Sequence, residues 1–129
     1  MSPSMKQVIF PEKGAKPIGP YSPAIRYGEL LFTSGQIGLD PASGKLVAGG
    51  VVAEARQALE NISTLVASGG SSLDKVLKTT LFLKDITDFA AVNEVYAQFF
   101  SVEPPARSTI QVAALPAGAL VEIEVVAYI

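Results

Sequence analysis

One arginine and two glutamates near the C-terminal end have the types and spacing that could do chemistry. Arg107 lies in the run Pro104-Pro105-Ala106-Arg107-Ser108-Thr109-Ile110-Gln111-Val112, and the glutamates lie in Leu120-Val121-Glu122-Ile123-Glu124-Val125. Both runs alternate with period two, and Leu115-Pro116-Ala117-Gly118-Ala119 joins them, which predicts two antiparallel strands. Alternation sends Arg107, Thr109 and Gln111 to one face of the first strand, and Glu122 and Glu124 to one face of the second. If the strands pair, an arginine and two carboxylates share a sheet face in apolar surroundings. The arginine fork binds a carboxylate through two parallel hydrogen bonds and keeps its charge at any relevant pH. A glutamate in a partly dry site can activate a water through a raised pKa. The set suits addition of water to a small carboxylated electrophile such as an imino acid. It also suits a structural ion pair of Arg107 with Glu122 or Glu124, which geometry alone favours. Alternation does not choose between the two glutamates.

The absences narrow the chemistry further. With no Cys there is no disulfide, no thiol nucleophile and no thiolate metal site. With no His there is no Ser-His-Asp triad, no HExxH zinc site and no imidazole base. No metal and no cofactor are expected. Lys+Arg 10 against Asp+Glu 12 gives a net charge of −2, so nothing supports general binding to a nucleic-acid backbone. No run approaches the about 18 apolar residues of a membrane span, and residues 1–6 lack the apolar segment of a signal peptide. A soluble cytoplasmic protein is expected. A length of 129 residues fits one domain, 1–129. Hydrophobic residues make up 49% and charged ones 17%, more apolar surface than one small core hides, so burial between subunits is expected.

These residues need a frame to position them. Strands are predicted at 6–10, 24–27 and 30–37, with a tight turn at 28–29 and a further short strand at 45–47. Residues 12–23, punctuated by Gly14, Pro17, Gly19, Pro20 and Pro23, are expected to be irregular, and Tyr21 sits among them. Gly35, inside the third strand beside Ser34, marks a bulge or a place where another group approaches the backbone. Ala55, Leu59, Ile62, Leu65 and Val66 form one stripe of a helix over 51–68, stopped by Gly69-Gly70. A strand follows at 76–83, and a second helix at 85–100 carries Phe89, Val92, Tyr96, Phe99 and Phe100 as its core side, with Asn93 in solvent. The order predicts an α+β domain, one sheet with both helices on one face and another subunit covering the other.

Several motifs add a resemblance. Pro105-Ala106-Arg107-Ser108, Leu115-Pro116 and Val121-Glu122-Ile123-Glu124 are preceded by Ile18-Gly19-Pro20-Tyr21-Ser22 and Phe32-Thr33-Ser34-Gly35-Gln36-Ile37. Between these lie Gln57-Ala58-Leu59-Glu60-Asn61 and Asp88-Phe89-Ala90-Ala91-Val92-Asn93-Glu94-Val95-Tyr96. In this order, over almost the whole chain, they resemble the RidA (YjgF-type) reactive-intermediate deaminase family. The resemblance implies a chorismate-mutase-like α+β fold with a mostly antiparallel sheet, assembled as a homotrimer with sites in the clefts between subunits. It implies cofactor-independent hydrolysis of the 2-enamine/2-imino acids (2-iminobutanoate, 2-iminopropanoate) that pyridoxal-phosphate enzymes release, giving 2-oxo acid and ammonia. Arg107 would then hold the substrate carboxylate and Glu122 would orient and activate water. Tyr21, Ser34, Gly35 and Asn93 would shape the pocket, with Thr109 facing it beside Arg107. Many close members carry a cysteine where Thr109 stands. Adding water to an imine needs no thiol, so this departure excludes only thiol-dependent roles at that position. Two other functions compete: a regulatory module that binds 2-oxo acids without turnover, and an endoribonuclease or translation inhibitor, which the charge balance and the lack of His oppose.

Overall fold

Alternating apolar residues build strands here wherever both flanks carry turn residues. In the computed structural model, which describes residues 5–11, 17 and 19–129, these are β1 (Gln7–Ile9), β2 (Ala24–Tyr27), β3 (Leu30–Thr33), β4 (Val76–Leu83), β5 (Ala106–Gln111) and β6 (Val121–Tyr128). The helices are α1 (Gly50–Ser68) and α2 (Phe89–Phe99). One mixed sheet runs in the order β1-β2-β3-β6-β4-β5. Each adjacent pair is antiparallel except β4 and β5, which are parallel. A parallel pair needs a crossover, and α2 supplies it.

The alternation of β6 sorts the two faces. Val121, Ile123, Val125 and Ala127 are buried with Leu31, Leu81 and Leu83 beneath the inward stripes of both helices. The opposite face leaves Val8, Tyr27, Leu30, Phe32, Ile110 and Tyr128 exposed. Two helices on one face and a bare apolar face on the other agree with the α+β expectation. Among the described residues no helix is long and apolar enough to cross a membrane.

Four local expectations are corrected. The third strand ends at Thr33 rather than at 37, because Thr33 Oγ1 takes the Val125 N–H at 3.0 Å, a place the backbone would fill in a regular ladder. Beyond it only Gln36 pairs with β6, exchanging bonds of 2.7 and 3.0 Å with Ile123. Residues 45–47 are no strand; a single bridge joins Leu46 to Leu39. The second helix starts at Phe89, since the Asp85 carboxylate accepts from Thr87 N–H and holds Ile86–Asp88 in a tighter 3₁₀ turn. The two C-terminal strands do not pair with each other, because β4 is inserted between them. Of the stretch expected to be irregular, residues 12–16 and 18 lie outside the described residues.

One buried polar pair ties α2 to the sheet. Thr79 is fully buried, and its hydroxyl lies 2.8 Å from the Tyr96 hydroxyl. Tyr96→Phe strands the Thr79 hydroxyl and is expected to cost about 1–3 kcal/mol in urea unfolding. Adding Thr79→Val should recover most of that loss.

Candidate active site

Pro104-Pro105 keeps the chain extended as it enters β5, where Arg107 stands opposite Thr79. Thr79 is in the buried row with Val125, so Arg107 points to the helix side. There its guanidinium lies 4.8 Å from the Tyr96 ring centre and 5.2 Å from that of Phe89. Ring faces attract a cation without using its N–H donors, so the fork is still available to a carboxylate. Phe89, Asn93 and Tyr96 recur at i, i+4 and i+7 on α2, which places half-buried Asn93 on the stripe that seats the arginine. Burial pushes the Tyr96 hydroxyl pKa up, against the Thr79 hydrogen bond and the Arg107 charge, which lower it. Thr109 shares the Arg107 face, and its buried Oγ1 has no hydrogen-bond partner. An orphaned hydroxyl of this kind costs about 1–3 kcal/mol.

A second group lies on the other face. A Cβ on Gly35 would stand 2.6 Å from Glu122 Cδ, so the carboxyl group occupies the space a side chain would need. Of the two readings left open for Gly35, a bulge or a close approach, the structure shows the close approach, and the approaching group is Glu122. Ser34 Oγ donates to Ser22 O at 2.6 Å and its N–H donates to Pro23 O at 2.8 Å, tying the end of β3 to the segment that carries Tyr21. Tyr21 itself is 51% exposed. Burial first, and then the like charge of Glu124, raise the Glu122 pKa above the ordinary carboxyl value. A carboxyl group raised in this way is suited to taking and returning a proton.

Arg107, Asn93 and Thr109 thus gather on the helix side of β5, Glu122 lies against Gly35 on the opposite side of the sheet, and Ser34 ties the segment carrying exposed Tyr21 to the end of β3. The shared face expected for Arg107 and the glutamates does not exist. Through β4, Arg107 registers with Thr79, Glu122 with Phe82 and Glu124 with Thr80. Thr79 is an odd number of residues from each of the other two, so Arg107 and both carboxylates point apart, and the structural ion pair falls with the shared face. Sequence reasoning also missed Phe89 and Tyr96 as the arginine's seat, taking them as core alone. Their seven-residue spacing around Asn93 was the available signal.

The chain is an α+β protein with an arginine seated on two aromatic rings on one sheet face and a carboxyl group of raised pKa on the other. The chain belongs to the Endoribonuclease L-PSP family, whose model matches residues 12–129. It is 50% identical over 124 residues to a RutC family protein of Pyrococcus horikoshii, covering 96% of this chain and 98% of that one. It is 49% identical over 127 residues to the 2-iminobutanoate/2-iminopropanoate deaminase of Homo sapiens, covering 98% and 93%. The crystal structure of RidA from an Antarctic Psychrobacter superposes with a TM-score of 0.91 at 42% identity, covering 95% and 99%. The RidA-type resemblance read from the motifs is borne out.

The raised Glu122 pKa has a thermodynamic signature. Protonated Glu122 is favoured in the folded state, so its contribution to stability is fully present below the unfolded carboxyl value and is lost as pH rises through the folded one. Glu122→Gln keeps an uncharged group there at every pH. It is expected to raise the melting temperature at pH 7, with the gain shrinking to nothing near pH 4 in a thermal-melt series.

Proposed function

We propose that the protein hydrolyses small 2-imino acids, and the enamines in equilibrium with them, to 2-oxo acids and ammonia. The sites would be built between copies of this chain, as in the homotrimer implied by the family resemblance. The observation that carries this reading is the division of the two groups between opposite faces of one sheet. Each has half of what the reaction needs, and a second copy of the chain could bring the two together. The bare apolar face supplies surface for such an assembly. The deaminase name of the human relative supports the same chemistry.

Arg107 would hold the substrate carboxylate, steadied by Phe89 and Tyr96. Glu122 would take a proton from water as the water oxygen bonds to the imine carbon. The tetrahedral adduct would then receive that proton on nitrogen, and the carbon–nitrogen bond would break as the adduct's hydroxyl proton passes through Glu122 to the leaving nitrogen and the carbonyl forms. One imino acid and one water give one 2-oxo acid and one ammonia. No step calls on a metal or a cofactor, and no thiol is needed at Thr109.

A coupled assay tests the chemistry. A pyridoxal-phosphate dehydratase generates 2-aminocrotonate in place, and 2-oxobutanoate release is followed. Wild type is expected to accelerate release. Arg107→Ala and Glu122→Gln should each lower kcat/KM by about 100-fold or more. Tight binding of 2-oxobutanoate without acceleration would replace turnover with ligand sensing.

The division between copies has its own test. Arg107→Ala and Glu122→Ala chains, unfolded together at equal amounts and refolded, are expected to recover about a quarter of the wild-type activity, because random assembly leaves that share of sites intact. A mixture as inactive as its components would place both residues of each site in one chain.

A further inference from the structure

Glu54, Gln57 and Asn61 recur at i, i+3 and i+7 on α1, a polar stripe beside the helix's apolar one. Polar groups on an inward helix face must be bonded, and these three are bonded to one neighbourhood. Asn61 Nδ2 donates to Ile37 O at 3.2 Å and to Leu39 O at 2.9 Å. Gln57 Nε2 donates to Asn61 Oδ1 at 2.9 Å, which orients the Asn61 amide so that its NH₂ faces those carbonyls. Glu54, only 6% exposed, accepts the Leu120 N–H on Oε1 at 2.8 Å. Gly38 packs against the same turn, where a Cβ would lie 2.7 Å from Glu54 Cα.

The stripe therefore grips two pieces of backbone. One runs from Gly35 through Ile37 to Leu39, and the other enters β6 at Leu120, two residues before Glu122. The Gln36 and Ile123 exchange locks the pieces together, and the Glu122 carboxyl group rests on Gly35 between them. Among the described residues, the bonds these three side chains make outside the stripe go to backbone, so their influence on Glu122 passes through backbone position. We propose that Glu54, Gln57 and Asn61 form a positioning device that holds the Glu122 carboxyl group against Gly35, setting the rate of water activation while leaving carboxylate capture alone. This rests on the imine-hydrolysis reading above. Arg107 lies on the other sheet face, which is why capture should be spared.

The charged group acting on Glu122 is Glu124 on its own strand. Phe82 of β4 and the Gly35 backbone beside it are uncharged, and Lys84 is exposed past the end of β4. Loosening the stripe admits water around Glu122 and lowers its pKa toward the ordinary value.

The experiment uses full-length Asn61→Leu, Gln57→Leu and Glu54→Leu, with Glu54→Gln as the conservative partner that keeps an acceptor for Leu120. For each, kcat, KM and the pH dependence of kcat are measured, and the Glu122 carboxyl group is titrated by carbon-13 NMR. The leucine variants are expected to lose about tenfold or more in kcat with KM held within about threefold. The acid limb of kcat and the Glu122 titration should move down together, while Glu54→Gln keeps wild-type values. If Asn61→Leu does not fold, Gln57→Leu removes only the bond that orients Asn61 and decides the matter. Leucine variants that melt earlier but keep wild-type kcat and Glu122 titration below their melting point would reduce the stripe to a structural role. Loss in Glu54→Gln equal to that in Glu54→Leu would also overturn the proposal. If wild type hydrolyses no imine, the functional reading fails by itself, and the titration alone then decides whether the stripe positions Glu122.

Discussion

β6 is hydrogen-bonded to β3 on one side and to β4 on the other, and its alternation governs the directions of Glu122, Glu124 and, through β4, Arg107. Val121, Ile123, Val125 and Ala127 are committed to the core, so Glu122 and Glu124 must take the other face. The constraint passes through the register. Thr79 lies in the row of Val125 and points inward, and Arg107, opposite Thr79, goes with it. Slipping β5 by one residue would bring Arg107 to the carboxylate face, but it would turn Ser108 and Ile110 toward α2 and break the Arg107 seat on Phe89 and Tyr96. The separation of arginine from glutamate is thus a property of the packed core.

Each group carries features that work against folding. Glu122 is half-buried beside a like charge, and both raise its pKa. The Thr109 hydroxyl is buried without a partner. Two non-glycine residues near β5 adopt left-handed backbone, Glu103 at φ 46° in the approach to the strand and Ala117 at φ 57° in the turn before β6. A continuous core holds these in place, with Leu31, Leu59, Ile62, Leu65, Leu81 and Ile123 closed from solvent. Desolvation falls on the candidate site residues Glu122 and Thr109, and the left-handed backbone falls in the connections on either side of β5.

What was legible in the sequence was mostly local. α1 could be read because Ala55, Leu59, Ile62 and Leu65 keep helical period up to a glycine pair, and β4 because an apolar run of strand length stands between turn residues. Gly35 was legible as a special position, a bulge or a close approach, but the pattern did not choose between the two. Strand order was not legible. Nothing in the alternation of β5 or β6 records that β4 lies between them, and that insertion decides which faces Arg107 and Glu122 occupy. Pattern took both Phe89 and Tyr96 as core; Tyr96 packs the core and offers its ring face to the cation, whereas Phe89 is 41% exposed and outside the core cluster, its ring beside Arg107. The motifs marked the residues of the candidate site, and only the register separated them into two groups.

The place of β6 also bears on how the chain is made. Val121–Tyr128 comes last among the strands in sequence and sits in the interior of the sheet, joining β1, β2 and β3 to β4 and β5. Until it emerges from the ribosome, the earlier strands form two separate edges and α1 lacks most of the floor it packs on. Thr33 meets Val125 across 92 positions of sequence, so this closure is among the least local in the molecule. Closure of the sheet during synthesis is therefore held back until Val121–Tyr128 has emerged, and the growing chain spends that interval with open strand edges that a chaperone or another nascent chain can engage.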